Sequence, residues 1–152
     1  MNSKIAFKHM SVNDKPEQSP GFLLWQISTS WRTAIESVLK PMNLTHPQFV
    51  VLATLGWLTQ NGERVTQAAV GKMAKLDPNT ISQIMRGLEL KKWIKRKQSA
   101  DVRAKNPLLT LQGTEILKKA LPVVEKADSQ FFNVLNAKEM TAMLALFQKL
   151  TV

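Results

Sequence analysis

Apolar residues recur along this chain at helical spacing in successive stretches, each opened by a capping residue. Leu24, Ile27, Trp31, Ile35 and Val38 stand three and four apart on one stripe, widened by Trp25, which predicts a helix from Pro20 that ends before Pro41. Thr45, His46, Pro47 and Gln48 read as the next helix start: a threonine N-cap, a glutamine three residues on to complete a capping box, and a proline in the first turn. From there to Leu58 the chain is apolar on most sides, as expected of a helix at the centre of a small core, and Asn61 and Gly62 allow a left-handed stop. Thr66 caps a further helix with Val70, Met73 and Ala74 facing inward, and Gly71 lets another helix approach. Asp77 and Pro78 end it and begin the next, in which Ile81, Ile84, Met85 and Leu88 point to the core.

Trp93 to Lys97 and Leu108 to Leu111 are short candidate strands around a polar segment, and together they predict a hairpin. Gly113 and Thr114 open a long helix to about Leu135, with a bend expected at Pro122. Asn136 and Glu139 start a last helix carrying Met140, Met143, Leu144 and Phe147. The polar run within Met1 to Ser19 cannot bury much surface and predicts a mobile N-terminal arm. The fold class is therefore mainly α: one domain over residues 20–152, a helix-turn-helix followed by a small β-hairpin wing.

Length and hydrophobic content are ordinary, at 152 residues and 44%, but the charge is not: +10, with a pI near 10.1, favours a polyanionic partner. Arg86, Lys91, Lys92, Lys95, Arg96, Lys97, Arg103 and Lys105 stand against Glu89 and Asp101, so +6 of the total falls within twenty residues. Cysteine is absent, which removes disulfides, thiolate metal sites and thiol redox sensing. The N-terminus has no apolar run of signal-peptide length, and Phe49 to Leu58 is about half of a bilayer span, so a soluble cytoplasmic protein without a membrane partner is expected. His9 and His46 cannot form a metal cluster or catalytic pair at ordinary spacing, and the 11 acids are dispersed. No enzyme, metal or cofactor is expected.

What remains is a division of faces suited to reading base edges. On the helix from Asp77 to Lys91, Asn79 and Gln83 can each pair bidentately with adenine, Arg86 can reach guanine or a phosphate, and Thr80 and Ser82 can bond bases or backbone. Thr66, Arg96, Lys97, Arg103 and Lys105 complete the expected DNA-binding set, with Arg103 in the minor groove and Asp101 orienting its guanidinium. The five helix residues would also serve as the wet face of an amphipathic helix. A basic RNA-binding or structural protein, a protein-interaction module or an anionic-membrane binder would use the same charge without reading sequence. Trp25, Trp31, Phe49, Trp57, Phe131 and Phe132 are best explained by core and dimer packing, and no ligand site is assigned.

Several spaced motifs resemble the MarR family of winged-helix transcription factors over nearly all of Pro20 to Val152. The most specific are Asp101, Arg103, Ala104 and Lys105 running into Leu109, Thr110 and Gly113. Leu76, Asp77, Pro78 and Thr80, then Leu88 and Glu89, and earlier Leu44, Thr45 and Gln48 support them. The resemblance implies an obligate homodimer on a pseudo-palindromic operator, with a DNA-binding lobe over about residues 45–112 and entwined dimerisation helices over about 20–40 and 113–152. It also implies repression, relieved by a small aromatic or phenolic acid bound between the dimer helices and the DNA-binding lobes. A dimer fits the geometry, since successive major grooves lie about 34 Å apart and one chain carries a single recognition helix. Lys92 and Trp93 depart from the family's Gly and small apolar residue, Pro107 falls in the returning strand, and Val70 and Gly71 replace a Leu-Ala pair.

Overall fold

The computed structural model describes residues 10–98 and 105–151. A 3-10 turn at Pro16–Gln18 leads to α1, Pro20–Leu39, whose N-cap Ser19 accepts the Phe22 N–H. A second 3-10 turn, Lys40–Met42, ends on Asn43 in the left-handed region at φ 52° and reverses the chain. Then follow α2 (His46–Thr59), α3 (Gln67–Met73) and α4 (Pro78–Leu90). An antiparallel hairpin joins β1 (Ile94–Gln98) to β2 (Lys105–Leu109), with Ile94 opposite Leu109 and Arg96 opposite Pro107. The chain closes with α5 (Leu111–Phe131) and α6 (Ala137–Leu150).

The apolar α2 lies at the centre as its composition requires, in contact with α1, α3, α4, α5 and β2. Its Phe49, Val51, Leu52 and Leu55 meet Ile35 and Leu39 of α1, Met85 and Leu88 of α4, and Leu117 and Ala120 of α5 in one buried cluster. Thr45 forms both halves of the predicted capping box with Gln48.

Several expectations change, among them the end of the long helix, at Phe131 rather than about Leu135. The long C-terminal helix begins at Leu111 rather than Gly113, because the Thr110 hydroxyl accepts the Gly113 N–H at 3.0 Å and makes Thr110 the N-cap. The returning strand correspondingly ends at Leu109, and it starts earlier, at Lys105. Met73, expected inward, is half exposed, since the seven-residue α3 buries only Val70 and Gly71. Pro122 lies inside α5 without interrupting it.

Two apolar surfaces are left largely uncovered by the described residues. The first half of α1 leaves Leu24, Trp25 and Ile27 exposed, and only Ile35 and Leu39 of that helix are fully buried. α6 buries no residue at all, and its Leu146, Phe147 and Leu150 are exposed. Among the described residues no helix is long and apolar enough to cross a membrane.

Candidate nucleic-acid interface

The turn between α3 and α4 is built by local chemistry. Leu76 N–H donates back to Gly71 O at 2.9 Å, and Lys75 takes the left-handed conformation at φ 53°. Asp77 then caps α4: its carboxylate accepts the N–H groups of Asn79 at 2.9 Å and Thr80 at 3.0 Å, and the Thr80 hydroxyl at 2.5 Å. These bonds, the Thr80 hydroxyl first, hold the Asp77 carboxyl below the usual carboxylate range. Gly71 permits the close crossing, because a Cβ there would stand 3.3 Å from Ile81 Cγ2.

Ile81, Met85 and Leu88 anchor the back of α4. On its outer side Asn79, Gln83 and Arg86 are exposed at spacings of four and three, one continuous polar stripe. Ser82 is half-buried, and Thr80 is half-buried with its hydroxyl engaged by Asp77. Thr66 is exposed and caps α3 by accepting the Ala69 N–H at 3.1 Å.

The hairpin separates its cations. Lys95 is exposed, whereas Arg96 turns inward: it pairs with Glu89 of α4 and donates to Gln67 Oε1 of α3 at 3.1 Å. Its side chain is only 12% accessible, and the Glu89 hydrogen bond raises its pKa. Arg96, placed in the DNA-binding set by sequence, thus ties β1 to both helices of the helix-turn-helix. Lys97 and Lys105 lie on the paired strands, opposite Asn106 and Gln98. Asp101 and Arg103 fall outside the described residues.

Lys91 also bonds within the protein, to the Asn43 carbonyl and, at 2.9 Å, to Gln48 Oε1. Among the described residues of the basic run, Lys91 and Arg96 therefore bond inward, and the sequence carried a signal for each. Lys91 is three residues beyond the buried Leu88 on one helical face, and Arg96 two beyond the buried Ile94 on one strand face.

The wing root is fixed from the other side by Thr110. Its N–H donates to Trp93 O at 3.0 Å and its hydroxyl approaches Lys92 O at 2.7 Å. Lys92, in the usual glycine position, is left-handed at φ 58°. His46 is buried edge-on against Trp31, with ring centroids 4.9 Å apart, and burial, then the Arg32 charge, lower its pKa. Among the described residues no group of acidic or histidine side chains could hold a metal ion.

A helix-turn-helix whose second helix has a packed back and a polar front, followed by a β-hairpin docked on both helices, defines the winged-helix class of transcriptional regulator. Residues 33–104 match the family described as transcriptional regulator SarA/Rot. The chain is 39% identical over 125 residues, 82% of its own length and 85% of the relative's, to the uncharacterized HTH-type transcriptional regulator YdcH of Bacillus subtilis. The crystal structure of the Mycobacterium tuberculosis MarR family protein Rv2887 with p-aminosalicylic acid is 26% identical, covers 88% of this chain and 99% of that one, and has a TM-score of 0.67. Rv2887 is an HTH-type transcriptional repressor. The Staphylococcus aureus MepR–DNA complex is 24% identical, covers 90% and 97%, and has a TM-score of 0.77. The chain belongs to the MarR family of winged helix-turn-helix transcriptional regulators, and its relatives are regulators, not enzymes.

Proposed function

We propose that this regulator is a repressor that binds a pseudo-palindromic operator in duplex DNA as a homodimer, with α4 in the major groove and the wing in the adjacent minor groove. The observation that carries this reading is the exposed stripe of Asn79, Gln83 and Arg86 on a helix whose back is locked in the core. Asparagine and glutamine match the adenine edge bidentately and arginine the guanine edge, each good pair being worth about 1–3 kcal/mol of discrimination. Lys95, Lys97, Arg103 and Lys105 add phosphate and minor-groove contacts, with Asp101 orienting Arg103. Residues 20–152 act as one winged-helix domain in the cytoplasm, beside the DNA, and residues 1–19 precede it as an arm.

Dimerisation is supported by the uncovered apolar faces of α1 and α6, which hold Leu24, Trp25, Ile27, Leu146, Phe147 and Leu150 in solvent-facing positions. A second copy supplies both the cover for these faces and the second recognition helix that an inverted repeat requires. Repression and release by a small aromatic effector follow the relative Rv2887, a repressor with p-aminosalicylic acid in its crystal structure. An effector that prefers a wide-set spacing of the two recognition helices releases DNA by its differential affinity for that state.

Selection of bound duplexes from a random pool tests the reading. Recovery of an inverted repeat with half-sites about one helical turn apart is the expected result. Recovery of no enriched sequence, or of unpaired half-sites, overturns it.

A further inference from the structure

Lys91 sits at the junction of three parts of the fold. Its Nζ donates to the carbonyl of Asn43, in the corner between α1 and α2, and to Gln48 Oε1 in the first turn of α2 at 2.9 Å. It also lies 4.7 Å from the ring centroid of Trp93, at the root of the wing. Gln48 Oε1 accepts the Thr45 N–H as well, so the atom that receives Lys91 is itself held by the α2 capping box. Gly87 leaves room for this: a Cβ there would stand 3.2 Å from Gln48 Nε2. Burial holds the Lys91 ammonium below the usual lysine value.

We propose that Lys91 is a positioning residue for DNA recognition, spending its ammonium on the protein to fix the end of the recognition helix α4 against the α1–α2 corner rather than on a phosphate. α1 carries an apolar face assigned to the dimer, so the orientation of α4 relative to that corner sets how far apart two recognition helices stand. A lysine in this position is a brace between reading head and dimer arm. This inference rests on the DNA-binding reading above.

The test uses the full-length protein, the duplex selected from the random pool, and a random duplex, titrated with salt. A phosphate contact contributes about 0.9 to the slope of log affinity against log salt, and a brace contributes nothing. Lys91→Met is expected to weaken the selected duplex about tenfold, the size of a lost hydrogen bond to a charged group. The random duplex should be affected less, and the salt slope should be unchanged. Gln48→Glu keeps the capping box and receives Lys91 as an ion pair, so affinity and slope should stay at the wild-type level. A slope reduced by about one in Lys91→Met, or in Gln48→Glu as the new carboxylate withdraws Lys91 from a phosphate, overturns the brace. So does an unchanged preference for the selected duplex in Lys91→Met. Gln48→Glu decides the matter if Lys91→Met does not fold. Failure of the wild-type protein to prefer any duplex would instead strike the underlying reading.

Discussion

Gly113→Ala should be among the most damaging single-methyl additions available to this protein. A Cβ at Gly113 would lie 1.8 Å from the Trp93 carbonyl oxygen, 2.8 Å from its carbon and 3.2 Å from Trp93 Cα, all backbone atoms that cannot rotate away. The first turn of α5 and the wing root must therefore separate by more than an ångström. That movement breaks the Thr110 N–H bond to Trp93 O, at 3.0 Å, and the approaches of the Thr110 hydroxyl to Lys92 O and Trp93 O, at 2.7 and 3.1 Å. At about 1 kcal/mol net for each interaction lost, the cost is about 3 kcal/mol, a large share of the 5–15 kcal/mol typical of a folded domain. Gly56→Ala should cost less, because its nearest neighbour at 2.9 Å is the movable Leu117 Cδ2, and Gly21→Ala should be close to neutral with nothing within 4 Å. Urea unfolding of the three variants at one protomer concentration measures the order. If Gly113→Ala unfolds within about 1 kcal/mol of wild type, or less readily than Gly56→Ala, the steric reasoning is refuted.

Lys75→Gly should stabilise by about 0.5 kcal/mol, since a left-handed lysine costs roughly 1–2 kcal/mol and glycine returns about half of that through the unfolded chain; a lowered urea midpoint contradicts this. Arg96→Met should cost about 1.5–3 kcal/mol by releasing Glu89 and Gln67, while leaving the salt slope of DNA binding unchanged; a shallower slope would show Arg96 on a phosphate. His46 has a folded pKa below its ordinary value of about 6.5, so the folded state binds fewer protons and its stabilising share is full above that pH. That share falls as pH drops below 6.5 towards the folded pKa, and His46→Gln should flatten the decline in thermal midpoint between pH 7 and 5; an equally steep decline excludes His46 as its source. Arg103→Ala should weaken all duplexes and flatten the salt slope while Gln83→Ala alters sequence preference, as salt-titrated gel shifts would report.

Helix starts were the most legible part of the sequence because caps are short-range chemistry. Thr45 with Gln48 and Asp77 with Pro78 declare their roles within four residues, and each makes the bonds its type implies. The returning strand is less legible: Lys105 and Asn106 are polar and Pro107 lacks an N–H, so the apolar signal falls on Leu108 to Leu111 although Thr110 caps the next helix. In the candidate site, residues that face out along α4 followed from the apolar periodicity behind them. The spacing from Leu88 and Ile94 hints that Lys91 and Arg96 turn inward, but not at what they bond: Gln48 and Gln67 stand 43 and 29 residues away, and only Glu89, seven residues before Arg96, is near in sequence. A tally of charge counts such side chains without seeing what they touch. The stripes on α1 and α6 read as buried faces, and periodicity alone says nothing about which chain does the burying.

A fourteen-residue helix with no side chain fully buried among the described residues, only Met140 and Met143 being half-covered, has little packing to hold it wound in water, where isolated helices of that length are marginal. If pairing supplies the shelter, winding of α6 becomes a readout of abundance. At low copy number the regulator would lose mates and its last helix together, and operators would be vacated more steeply than dilution alone dictates. Gene dosage would then tune how much of each polypeptide is structured.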